Sequence, residues 1–285
     1  RGTENPVSLI AQRQSAAKRI DLVIAIDTSS SMDGLIDGAR QQLWETVAQL
    51  GRAQPRPELR VGLISYGNTS YDAGAGWVRV ESDLTTDLDS VYGRLFALST
   101  GGGDEYVARA LQVASTRMTW SSDDATRRMF IVAGNEPADQ DPQVKLPRAL
   151  AEARSRHISV NTIYCGSESN GEVALWRSLA AEGDGKFAAI DHNAAVAVAT
   201  PVDSELARLS QQLNRTYIGY GRSGAAKAEN QAAQDNNAAK LGGSASAARA
   251  RSTIVSIQRR SGLDKSRIWP VRLRSEERRV GKECL

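Results

Sequence analysis

The chain has 285 residues and a mass of 30.7 kDa, 41% of them hydrophobic, enough for one sizeable packed domain plus extensions. Two cysteines, Cys165 at the end of an apolar stretch and Cys284 near the end of the chain, speak against a disulfide framework or a thiolate metal site, and no apolar run reaches membrane-spanning length. The formal charge of +3 belongs to the tail, since residues 250–285 carry a net of +6 and leave residues 1–249 at −3, so nothing in the charge pattern points to nucleic acid.

Residues 1–19 are polar, with a short amphipathic piece around Val7 to Ala17 that reads as a lead-in helix or an arm. Arg1 in place of Met implies a start that is missing or processed, which would hide any signal peptide. Asp21 to Asp27 then reads as a buried strand: Leu22 to Ile26 are apolar on both alternating faces, as in a central parallel strand covered by helices on each side. Asp27 falls at the strand end, and the crevice beyond the carboxyl ends of the strands is where open α/β sheets bind ligands. Asp27, Ser29 and Ser31 make an Asp-x-Ser-x-Ser set of hard oxygen donors, suited to a small divalent cation such as Mg²⁺. A polar turn in which Ser29 or Ser31 caps the next helix accounts for that spacing equally well.

Gly34 to Leu50 places Leu35, Ile36, Ala39, Leu43, Val47 and Leu50 at helical spacing. After Pro55 and Pro57, Leu59 to Tyr66 reads as a second strand, and Trp77 to Val80 alternates as an edge strand should. Asp87 to Leu98 carries a helical stripe. Thr100-Gly-Gly-Gly-Asp-Glu105 is a glycine run leading into a helix with Val107, Ala110, Leu111 and Ala114 on its apolar face; no Lys-Ser/Thr pair follows to make it a nucleotide loop. Met129 to Gly134 is the next buried strand, ending at Asn135-Glu136. Asp139 to Pro142 reads as a polar loop, solvated by preference, whose two carboxylates could instead extend the acidic rim of the site. A helix near Pro147 to Ser155, a strand from Ile158 to Cys165, a helix from Glu172 to Ala181 and a short strand from Phe187 to Ile190 complete a βα series.

Residues 20–192 resemble a von Willebrand factor A-type domain of bacterial type. Asp27-Thr28-Ser29-Ser30-Ser31 matches the first motif of that family's metal-ion-dependent adhesion site, and the strand and helix segments fall in the family's order. The resemblance implies a doubly wound α/β sandwich, a mostly parallel sheet with helices on both faces, that binds a protein partner, often through a metal completed by the partner's carboxylate. It implies no catalysis. The family's glycine loop supplies a Thr before its helix; some bacterial members read Gly-Gly-Gly-Asp-Thr, and here Gly101-Gly-Gly-Asp-Glu105 puts Glu105 at that position. The Asp that the family shows at the later strand end is matched by Asn135. The implied ligand set is therefore Asp27, Ser29, Ser31, Glu105 and Asn135, around Mg²⁺, or Mn²⁺ or Ca²⁺, with the carboxylate exchanged between the last two positions. Glu105 could equally occupy the coordination position that a partner would use, or the hydroxyls and Asn135 could close a metal-free hydrogen-bond network. The resemblance also favours a periplasmic or secreted location.

The expected organisation is an arm at 1–19, the domain at 20–192, an amphipathic helix at 193–218, and a low-complexity linker and tail at 219–285, of which 274–285 resembles translated adapter read-through. Two readings of another class stand beside the binding module: an Mg²⁺-dependent α/β hydrolase, and a metal-free scaffold. Against the hydrolase, phosphohydrolases commonly place a second Asp where Ser29 stands, and neither histidine, His157 or His192, has a Ser-Asp context.

Overall fold

The structure, a computed structural model, describes residues 19–190 together with Gln212 and Glu229. The expected arm lies outside the described residues except for Arg19, and the helix at 193–218 and the linker and tail at 219–285 lie outside them except for those two single positions. No described helix is long and apolar enough to cross a membrane.

Strand β1 (Arg19–Asp27) is the centre of the molecule, and every residue after Arg19 in it is buried. Its alternation sends side chains to two cores. Ile20, Leu22, Ile24 and Ile26 enter one, and Val23 and Ala25 the other. Helix α1 (Ile36–Arg52) covers the first with Leu43, Trp44 and Val47, and helix α2 (Leu88–Ala97) adds Val91, Tyr92 and Leu95. Asp87 starts α2 by accepting a hydrogen bond from the Ser90 amide at 3.2 Å, which satisfies one of the amides a helix start leaves unpaired.

The second core is built on helices α3 (Val107–Arg117), α4 (Leu146–Ser155) and α5 (Val173–Glu182), through Leu111, Ala114, Leu150 and Trp176. Strands β2 (Glu58–Tyr66), β3 (Val78–Thr85), β4 (Thr126–Gly134), β5 (Ile158–Cys165) and β6 (Phe187–Ile190) complete one sheet in the order β3-β2-β1-β4-β5-β6. All pairings are parallel except β2 with β3. This is the mostly parallel, doubly wound sandwich expected from the sequence.

Strand β3 runs to Thr85, beyond the expected end at Val80, while Trp77 stays outside it in a left-handed conformation (φ 58°). The extension was hidden because Glu81 to Asp83 are polar and the pairing with β2 shifts register twice. Charged side chains and irregular register are what keep an edge strand from recruiting another chain.

The strand order reverses at β1, whose neighbours are β2 on one side and β4 on the other. Their carboxyl ends meet at one pole, with Asp27 level with Tyr66 and Ile26 level with Ala133. That crevice is where a doubly wound sheet leaves room for a ligand.

Candidate metal site

Asp27 ends β1 with no exposed surface. Its Oδ1 accepts the Ser29 amide at 2.8 Å, while Oδ2 is buried without a hydrogen-bond partner. The Thr28 amide and Thr28 Oγ1 both donate to the Tyr66 carbonyl at 2.8 Å, pinning the turn to β2 and holding Asp27 at the pole. From there the hydroxyls run outward. Ser29 Oγ and Ser31 Oγ are 2.8 Å apart, Ser31 Oγ donates to Asn135 Oδ1 at 2.9 Å, and Asn135 Nδ2 donates back to the Ser31 carbonyl at 3.1 Å.

Ser29 makes no capping hydrogen bond with its side chain, although it precedes the short 3₁₀ turn Ser30–Met32, and α1 begins after Leu35. These hydroxyls face one another and Asn135 instead of a helix end.

Glu105 reaches the same point from the glycine loop. Gly67, at φ 78°, is where the approach is tightest: a Cβ there would lie 2.8 Å from Asp27 Oδ1, 3.2 Å from Glu105 Cγ and 3.3 Å from Ser29 Cβ. Both its left-handed backbone and this crowding require glycine. Gly103 presses against it, since a Cβ at 103 would come 2.6 Å from the Gly67 carbonyl oxygen. The triple glycine thus brings a backbone close enough to deliver Glu105. The structure places all five expected residues, Asp27, Ser29, Ser31, Glu105 and Asn135, at one pole.

Burial dominates the electrostatics. It pushes the Asp27 carboxyl up to about 7, against the stabilising hydrogen bonds from Ser29 and with added repulsion from Glu105 and Glu136. Burial likewise raises Glu105; hydrogen bonds from its own backbone, Ser29 and Gln140 offset part of this, and Glu136 adds repulsion. Every donor in the set is an oxygen, and among the described residues there is no cluster of three or more His, Cys, Asp or Glu. The chemistry fits a hard cation of the Mg²⁺, Mn²⁺ or Ca²⁺ kind. Such an ion would meet a requirement left open at this pole, the unpartnered Oδ2 of Asp27.

Three features were not legible in the sequence. Glu136 bears on Asp27 and Glu105 because Trp176 Nε1 donates to its carbonyl at 2.9 Å and anchors that turn. Gln140 contributes to the surroundings of Glu105. Asp141, expected in a solvated loop, is 1% exposed and pairs with Arg109 through two hydrogen bonds of 3.0 and 3.1 Å, while accepting the amides of Gln143 and Val144. That expectation is corrected: the pairing spans distant parts of the chain, and local polarity gave no sign of it. His157 lines the opposite end of the sheet, among the starts of β4 and β5, so it cannot serve Ser29 or Ser31 as a base.

A family model described as von Willebrand factor type A domain matches residues 21–204. Among solved structures, the chain is similar to the SpRpn10 VWA domain, at 17% identity over 71% of this chain and 98% of that one (TM-score 0.47). It is similar to an aerotolerance-related membrane protein from Bacteroides fragilis, at 16% identity over 69% and 100% (TM-score 0.43). A third is proximal thread matrix protein 1 from the mussel byssus, with a zinc-occupied MIDAS motif, at 11% identity over 64% and 44% (TM-score 0.48). No curated protein matches in sequence.

Proposed function

We propose, from the premise that this chain belongs to the von Willebrand factor type A domain family, that it is a protein-binding module whose contact site is organised by a divalent cation. The observation that carries the reading is the Oδ2 atom of Asp27: a fully buried carboxylate oxygen, without a hydrogen-bond partner, at the convergence of β1, β4 and the glycine loop. A buried carboxylate is costly unless it is hydrogen-bonded, paired or bound to a metal. Asp27, Ser29, Ser31, Glu105 and Asn135 would hold the ion, which supplies a positive centre for an oxygen ligand from a partner.

The protein's own residues set how strong that attraction is. Asp27 and Glu105 together carry a formal −2 and offset the charge of a divalent ion. A partner carboxylate is therefore drawn less strongly than to a site with a single acidic ligand. Recognition then depends more on the rim around the ion, where Ser31 is exposed and Glu136 half-buried. The hydrogen-bonded chain from Ser29 through Ser31 to Asn135 orients the donors in advance.

The test is capture of a binding protein from the native cell extract by the full chain, with Mg²⁺ and with chelator, beside an Asp27→Ala variant. Capture that needs both Mg²⁺ and Asp27 is expected. Equal capture in all three conditions would leave a binding module without metal dependence.

A further inference from the structure

A second polar site lies at the opposite pole, where the starts of β4 and β5 and the last turn of α4 border an open cavity of about 710 Å³. That volume falls within the roughly 300–1,000 Å³ typical of small-molecule sites. Its wall carries three arginines, Arg127, Arg128 and Arg154, together with His157, against one carboxylate, Asp184.

Arg128 is 8% exposed, and its guanidinium donates to three carbonyl oxygens, those of Ser121 at 2.7 Å, Asp123 at 3.1 Å and Arg156 at 3.3 Å. Among the described residues it makes no ion pair; the nearby carboxylates of Asp123 and Glu152 are committed to Arg19 and Arg156. These carbonyl dipoles take up three of its five N–H groups and provide no formal counter-charge, so the guanidinium keeps two donors and its positive charge for an anion.

Two wall residues, His157 (φ 56°) and Asp184 (φ 54°), follow the ends of α4 and α5 in the left-handed conformation that commonly closes a helix, which brings both helix ends to the rim.

We propose that this cavity binds a small-molecule ligand through an oxyanion group, a phosphate or a carboxylate. Arg128 supplies the buried positive charge, and Arg154 and His157 close the exposed side. Asp184 offers one acceptor, so the ligand also carries a hydrogen-bond donor. The site is independent of the cation reading, because it shares no residue with the pole at Asp27.

The experiment is calorimetric titration of the full, metal-stripped chain with inorganic phosphate and with malate, whose hydroxyl supplies the donor. It is repeated on Arg154→Gln and on Arg94→Gln, which removes the same charge from α2. Saturable binding of at least one probe is expected, weakened about tenfold by Arg154→Gln, the usual scale for losing one hydrogen bond to a charged group, and unchanged by Arg94→Gln. Uptake of both probes without saturation, or equal affinity in the wild type and Arg154→Gln, would overturn the proposal.

Discussion

Two aspartates on β1 meet burial in opposite ways. Asp27 keeps one oxygen without a partner, and its carboxyl is pushed up to about 7 by burial. For Asp21, burial also acts to raise the pKa, but hydrogen bonds from Arg60 and from Ser121 outweigh it and hold the carboxyl below its usual 3.8. Arg60 donates Nε to Oδ1 at 2.8 Å and Nη2 to Oδ2 at 2.6 Å, a bidentate pair with Asp21 2% exposed. A folded pKa below the unfolded one means that this pair's contribution is present above about pH 4 and disappears as the pH falls through the folded value. Asp21→Asn is therefore expected to cost about 3 kcal/mol at pH 7, towards the low end for a buried pair because Arg60 keeps solvent contact. The variant should also lose less stability than wild type between about pH 4 and pH 2. Urea denaturation across that range checks both; parallel acid limbs in the two proteins would show that the pair is not linked to folding.

The loops at the Asp27 pole are set by elements further out. Glu105 precedes α3, and Arg109 on that helix holds Asp141 in the segment after β4, close along the chain to Asn135 and Glu136. The pair thus ties the helix start behind one expected cation ligand to the loop that follows another. Arg109→Ala leaves the buried Asp141 carboxylate without its counter-ion, held only by the Gln143 and Val144 amides, with an expected loss of about 3 kcal/mol in stability. It should weaken cation binding as well, whereas Arg109→Lys should recover part of both. Thermal melts and Mg²⁺ titrations of the two variants check this, and cation affinity unaffected in a folded Arg109→Ala protein would separate the clamp from the site.

Most of this level was legible in the sequence, because strand and helix periods depend on neighbouring residues. The alternation of Leu22 to Ile26 announced a strand buried on both faces, while the Asp27 to Ser31 spacing alone fitted a helix cap equally well, and Glu105 and Asn135 were singled out only by the family resemblance. Arg109 with Asp141, and Glu136 anchored by Trp176, escaped notice because each depends on contacts across the fold.

At the scale of the whole molecule, the sheet carries polar sites at both ends. Asp27 lies where the parallel strands β1, β2 and β4 finish, and the arginine-lined cavity lies where β4 and β5 begin. A cation at the first pole would join the end of β1, the turn after β4 and the lead into α3, which belong to both cores. Binding to the folded state alone stabilises all of it, by RT ln(1 + [L]/Kd), so the melting temperature should rise with Mg²⁺. The most direct test of the central claim is calorimetric titration of the metal-stripped chain with Mg²⁺ and Mn²⁺, beside Glu105→Ala and Asp27→Asn. One saturable site in the wild type is expected, lost in Asp27→Asn and weakened about tenfold or more by removal of the Glu105 carboxylate. Binding in Glu105→Ala equal to wild type would remove Glu105 from the ligand set, and no saturable binding in the wild type would contradict the account.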